Sequence, residues 1–264
     1  MRRARIESPP FRALAIGWDV GGWLGKKQAV AVVGVRADGS WAHVGAPRRF
    51  SMRELPADRE LSVDQLLRIG WSDAPTSALD DCAVLVAIDA PLAFPAAFVR
   101  LLAGDPLPLP RLDQEIANVF AYRDCDRYVH LTYEKKPLSA SFDRLGNNAT
   151  LAIALTGRWR AHERFAMLPF DAPGDGQRTI VETYPALLKG KDGAVLGRAR
   201  ALLPACVAGP AADPDAQDAA LCALVAAAML GATAPALPPI VGPVSEHCGD
   251  GWIFAPSRAW IDGA

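Results

Sequence analysis

The sequence predicts an α/β fold built on a mixed sheet, and three observations carry that prediction. Short apolar segments joined by tight turns open the chain, an unbroken apolar run at residues 82–88 reads as a strand buried on both faces, and an alanine-rich helical stretch follows Asp213-Pro214. A meander at the start is not how a doubly wound parallel sheet begins.

The elements follow in order. Residues 14–19 form a short apolar run that delivers Asp19 to a strand end, and Gly21 and Gly22 then mark a tight turn where backbone can approach a ligand. Residues 29–36 are rich in β-branched side chains and come after a loop holding Gly25, Lys26 and Lys27, so a hairpin is the economical reading. The Asp38-Gly39 turn leads to a third strand at residues 41–44. Ser62 is a good N-cap, and Val63, Leu66, Leu67 and Ile69 recur at helical spacing, predicting a helix that covers one face of the sheet. The run at 82–88 delivers Asp89, and Ala90-Pro91 ends that strand because proline has no N–H for the ladder.

Residues 104–147 are irregular and polar and read as an insertion within a single domain spanning 1–264. A helix is expected over 150–160, a loop over 171–176, and a strand over 179–183 that carries Glu182. Asp213-Pro214 starts a helix to about Leu230, since aspartate caps free N–H groups and proline suits the first helical position. A last short apolar piece ends at Pro256.

Composition narrows the function classes. About half of the 264 residues are apolar, and 28 Lys and Arg against 29 Asp and Glu leave a formal charge of -1, so no bulk basic footprint for nucleic acid or an anionic membrane is present. Five widely spaced cysteines with no C-x-x-C pair predict free thiols in a reducing compartment and argue against zinc. Glu7, Pro9 and Pro10 interrupt any signal-like apolar region, and no stretch is long enough for a membrane span, so a cytoplasmic protein is expected.

The chemistry is carried by carboxylates. Asp19 and Asp89 sit at strand ends, Glu182 ends a third strand, and Asp215 and Asp218 lie three apart in the first turn of a helix, where the dipole favours anions. Acids delivered to the ends of separate elements suit hard divalent cations, which take oxygen ligands and, as a pair of ions, cleave phosphodiesters. Taken singly, a first-turn acid is a cap, a strand-end Asp before Ala-Pro makes a turn, and Glu182 has Arg178 as a possible partner.

The pieces Gly17-Trp-Asp-Val-Gly-Gly, Ala87-Ile-Asp-Ala-Pro-Leu, Arg123-Asp-Cys-Asp, Val181-Glu-Thr-Tyr-Pro, Asp215-Ala-Gln-Asp-Ala-Ala and Gly251-Trp-Ile-Phe-Ala-Pro resemble, in that order, the family called domain of unknown function 429. Its members are predicted nucleases of the ribonuclease H-like superfamily, and the resemblance spans nearly the whole chain. It implies a ribonuclease H-like mixed sheet with three antiparallel first strands, flanked by helices. It also implies a Mg²⁺- or Mn²⁺-dependent nuclease acting on DNA or RNA. Carried over by position, Asp19, Asp89, Asp215 and Asp218 are the implied metal ligands and catalytic acids, and Glu182 is an additional catalytic acid. Apart from the resemblance, Arg123, Arg127, Lys135 and Lys136 are candidate contacts for substrate phosphate, with a solvated polar loop as the stronger alternative.

Two rivals stand beside this expectation. Phosphotransferases of the same superfamily also place a glycine turn after the first strand, where backbone amides cradle phosphate. A non-catalytic binding module would use the same acids only as caps and turn formers. The run Arg158-Trp-Arg-Ala-His-Glu-Arg interleaves an aromatic residue with cations as a nucleic-acid surface does, although exposed helix faces look alike. Trp18 is expected in the core, and His43, His130, His162 and His247 show no ligand spacing.

Overall fold

The computed structural model describes residues 11–24, 28–55, 61–108, 111–172 and 178–263. The loop expected at Gly25, Lys26 and Lys27, the N-terminal residues before Phe11, and most of the loop over 171–176 lie outside the described residues. The strands are β1 (Ala13–Asp19), β2 (Gln28–Val35), β3 (Trp41–His43), β4 (Arg48–Phe50), β5 (Ala83–Asp89), β6 (Ala166–Met167), β7 (Arg178–Thr183), β8 (Ile240–Val241) and β9 (Ile253–Pro256). The helices are α1 (Val63–Gly70), α2 (Ala78–Asp81), α3 (Ala96–Leu102), α4 (Asp124–Tyr133), α5 (Asp143–His162), α6 (Gly197–Arg200), α7 (Ala205–Ala208), α8 (Pro214–Met229) and α9 (Arg258–Asp262).

A mixed sheet runs in the order β3-β2-β1-β5-β7-β9-β8, with β4 also on β2 and β6 also on β7. β1, β2 and β3 are antiparallel neighbours, as the opening turns predict, and β5, β7 and β9 then continue parallel to β1. Both faces of the central strands are covered. Leu14, Ile16 and Trp18 of β1 pack with Val84, Val86 and Ile88 of β5 under α1 and α5. On the opposite face, Ala13 and Ala15 join Leu85, Ala87 and the small residues of α8.

The alanine content of α8 has a geometric reason. A Cβ added at Gly17 would lie 2.0 Å from the Ala219 carbonyl oxygen and 2.3 Å from the Ala223 nitrogen, so helix and strand backbones touch there. Only small residues on both sides permit that approach. Asp213 caps the helix: its Oδ1 accepts from the amides of Asp215 at 3.1 Å and Ala216 at 3.0 Å.

The region read as an insertion is more helical than its composition suggests. It holds α4, and α5 begins at Asp143, earlier than the helix expected over 150–160. Within the run 158–164 only Trp159 turns into the core, its ring buried against Trp18 and its indole N–H donating to the Leu61 carbonyl at 2.8 Å, while Arg158, Arg160, His162 and Arg164 are exposed. Among the described residues, no helix is long and apolar enough to cross a membrane.

Candidate functional site

Strand alternation decides which acids meet. Ala13, Ala15, Gly17 and Asp19 occupy one face of β1, and Leu85, Ala87 and Asp89 occupy the same face of β5. Asp19 and Asp89 are register partners at the C-terminal ends of these parallel strands, which sets their Cα atoms about 4.8 Å apart. Among the described residues neither carboxylate accepts a hydrogen bond. Two acids abreast without donors are costly to keep ionised, and the titration behaviour reflects it. Burial, then the charges of Asp89, Asp218 and Asp215, push Asp19 up to about 9, while Lys189 acts the other way. Burial and Asp218 likewise push Asp89 well above the usual carboxylate range.

The close seat of α8 on Gly17 sets the N-terminal end of that helix over the strand ends, with Asp215 in its first turn and Asp218, expected there too, in the next. Asp218 therefore belongs to the same electrostatic cluster, and burial raises it against the pull of Lys189. Its Oδ1 lies 2.5 Å from Lys189 Nζ, an ion pair whose angles are not those of a hydrogen bond. Asp215 faces the outer edge, 3.5 Å from Arg49 Nη2, and Arg49 also binds the capping Asp213 at 2.8 Å.

Glu182 is placed elsewhere. Its register partner is Ile88, so it projects to the face opposite Asp19 and Asp89, and Thr183 is the β7 residue that shares their face. Arg123 holds it at 2.6 and 2.7 Å, the Leu92 amide donates to it at 2.9 Å, and Asp126 binds the same guanidinium at 2.9 and 3.0 Å. Burial raises the Glu182 carboxyl, and the Arg123 charge offsets this. Arg178, the partner suggested by proximity in sequence, pairs with Asp80 instead.

The cations read as phosphate contacts are mostly engaged within the protein. Arg123 is 1% exposed, and its guanidinium is divided between Glu182 and Asp126. Arg127 pairs with Asp124 and the Tyr122 carbonyl, Lys136 pairs with Glu115, and Lys135 Nζ donates to the Ala186 carbonyl. Burial and the neighbouring Lys189 hold the Lys135 ammonium below its ordinary range.

A cavity of about 210 Å³ opens on the paired acids. Asp19, Asp89, Pro91, Thr183 and Tyr184 line it together with Arg123 and Asp126, and Leu138 of the inserted segment and Asn148 of α5 complete the lining. The glycine turn beside it is shut: a Cβ on Gly22 would lie 2.1 Å from the Asn147 side-chain nitrogen, so α5 backs this turn. That weighs against a phosphate cradle at Gly21-Gly22.

Among the described residues, no three His, Cys, Asp or Glu side chains are disposed to hold one metal ion. This departs from the four-acid ligand set implied by the resemblance, and the reason is visible in the pairing of the helix acids with Lys189 and Arg49. The remaining pair still fits magnesium, which keeps several waters and uses one or two carboxylates with substrate phosphate. The spacing argument did not find Lys189, and its one sequence signal is a lysine directly after the apolar Pro185–Leu188 turn. Comparison with protein-family models, curated proteins and solved structures finds no match for the chain.

Proposed function

We propose that the protein is a divalent-metal-dependent phosphodiesterase acting on nucleic acid, with a ribonuclease H-like core. The observation that carries the proposal is the in-register pair Asp19 and Asp89, two carboxylates that line one cavity and have no hydrogen-bond donor among the described residues. The sheet order supports the fold part of the reading, since β1, β2 and β3 are antiparallel neighbours at one side and β5, β7 and β9 continue parallel to β1 on the other.

Asp19 and Asp89 would hold Mg²⁺ or Mn²⁺. The bound ion supplies a water activated at neutral pH and stabilises charge on the phosphoryl oxygens. The chain's own groups do the rest. Without a cation, the Asp19 carboxyl retains its proton at neutral pH, and it gives that proton up when a cation binds. Burial pushes the Tyr184 hydroxyl up to about 12, so it keeps its proton and can donate to a phosphate oxygen in the cavity. Pro91, Leu138 and Leu145 shield the acids from bulk water.

Calorimetric titration of Mg²⁺ and Mn²⁺ into the purified chain, with Asp19→Asn and Asp89→Asn alongside, tests the proposal. Saturable binding lost in both variants, together with cleavage of single-stranded, branched or hybrid substrates that follows the metal, is the expected result. Absence of binding, or cleavage that survives both substitutions, refutes it.

A further inference from the structure

We infer that the ammonium of Lys189 stands where a second cation would otherwise be needed, so that the site takes one divalent ion and not two. This inference rests on the proposed metal-dependent function. It concerns Lys189, which no comparison and no part of the resemblance assigns to a role.

The position of Lys189 is built by several independent contacts. Its side chain is 13% exposed, and Nζ is 2.5 Å from Asp218 Oδ1. The backbone is fixed by an isolated bridge between Lys189 and Val195, flanked by Gly190 N–H to Ala194 carbonyl at 2.8 Å and Leu196 N–H to Leu188 carbonyl at 2.9 Å. Lys135 reinforces the same segment by donating to the carbonyls of Ala186 at 2.5 Å and Lys189 at 3.4 Å. A surface lysine does not need such a frame. A mostly buried ammonium does need a partner, and the carboxylate supplied is the one that α8 sets over the strand ends.

The charge of Lys189 reaches the whole cluster, lowering Asp19, Asp89 and Asp218. Arg49 holds the other helix acid, Asp215. Both α8 carboxylates are thus matched by fixed cations of the chain, whereas Asp19 and Asp89 are not. A second metal ion would have to take Asp218 from Lys189 and then lie beside an ammonium, where like charges repel. The cluster therefore divides into one open pair and one pair that the protein has filled itself.

The test is manganese stoichiometry on the full chain in metal-free buffer at pH 7.5, by equilibrium dialysis and by electron paramagnetic resonance, where two adjacent Mn²⁺ ions give a spin-coupled spectrum. The native chain should bind one Mn²⁺ with an uncoupled spectrum. Lys189→Met should bind two with a coupled spectrum, and Lys189→Arg should return to one. The double variant Lys189→Met/Asp218→Asn, which leaves neither member of the ion pair stranded, should bind one Mn²⁺ with a dissociation constant within threefold of the native value, a measurement that stands even if Lys189→Met alone does not fold. Two ions in the native chain, one ion in a folded Lys189→Met, or a loss of threefold or more in the double variant would each overturn the inference while leaving the metal reading intact. No Mn²⁺ binding by the native chain would overturn that reading itself.

Discussion

Asp19→Asn should make the metal-free protein more stable at neutral and alkaline pH. In the folded chain this carboxyl is pushed up to about 9 from an ordinary value of 3.8. Between those values the folded state keeps a proton that the unfolded chain has released, so stability falls as pH rises through the window, and the penalty is absent below it. At pH 7.5 the span from 3.8 is 3.7 units, which at about 1.36 kcal/mol per unit gives a ceiling of about 5 kcal/mol. Asp19 and Asp89 titrate as a pair, so the relief is shared between them. Asparagine matches the protonated carboxyl in shape and removes the ionisation. The variant should melt above the native chain at pH 7.5, by at most about 10–20 °C, given roughly 2–4 °C per kcal/mol for chains of this size. The two should melt together near pH 4. Mg²⁺ at a hundredfold excess over its Kd should then stabilise the native chain by about 2.7 kcal/mol and leave the variant unchanged. Differential scanning calorimetry at pH 4, 6 and 8 reads all of this. Equal melting differences at every pH, or a less stable variant at pH 8, would refute the account of Asp19 as an unpartnered, repelled acid.

Three further outcomes follow from the same geometry. Gly17→Ala drives a Cβ to 2.0 Å from a helix carbonyl, so urea titration should show a loss of about 3 kcal/mol or more, with α8 displaced and metal binding weakened. Arg123→Met strands Glu182 and Asp126 in a buried site, and a loss of about 3–5 kcal/mol is expected at pH 7, partly recovered towards pH 5 as the Glu182 carboxyl, already raised by burial, protonates. The small size of the 210 Å³ cavity and the formal charge of -1 both disfavour a long duplex, so cleavage assays should rank single strands and free ends above duplex of equal length.

Much of the fold was legible because local chemistry and tertiary context agree along the central strands. The turn at Asp38-Gly39, the cap at Ser62, the apolar run ending in Asp89 and the Asp213-Pro214 helix start all lie where the sequence puts them. Asp19 and Asp89 were legible as strand-end acids, but their register was not, since nothing in either strand records which partner residue it meets. The start of α5 was missed because Gly146, Asn147 and Asn148 lower helix propensity there, whereas tertiary contacts hold the backbone helical. Glu182 misled for a different reason. A motif fixes a residue type and a spacing, while the face of the strand is set by its neighbours, and one step of alternation carried Glu182 to the side of Trp18 and Ile88.

These placements sort acids that look alike in sequence by what answers each of them. Asp213 meets two helix amides and Arg49, Asp126 and Glu182 share Arg123, and Asp218 has Lys189. Each of these charges is satisfied inside the chain, and its removal should read out first as altered stability. Among the described residues Asp19 and Asp89 have no hydrogen-bond donor and no ion-pair partner of their own, only the more distant charge of Lys189, and the protein keeps them together by burying the two strand ends under α8. A fold that holds two such carboxylates abreast is less stable at neutral pH than one with asparagine at either position. Under the proposed function a cation bound between the two would offset that local destabilisation, because the burial and mutual repulsion that raise both carboxyls would then favour the ion.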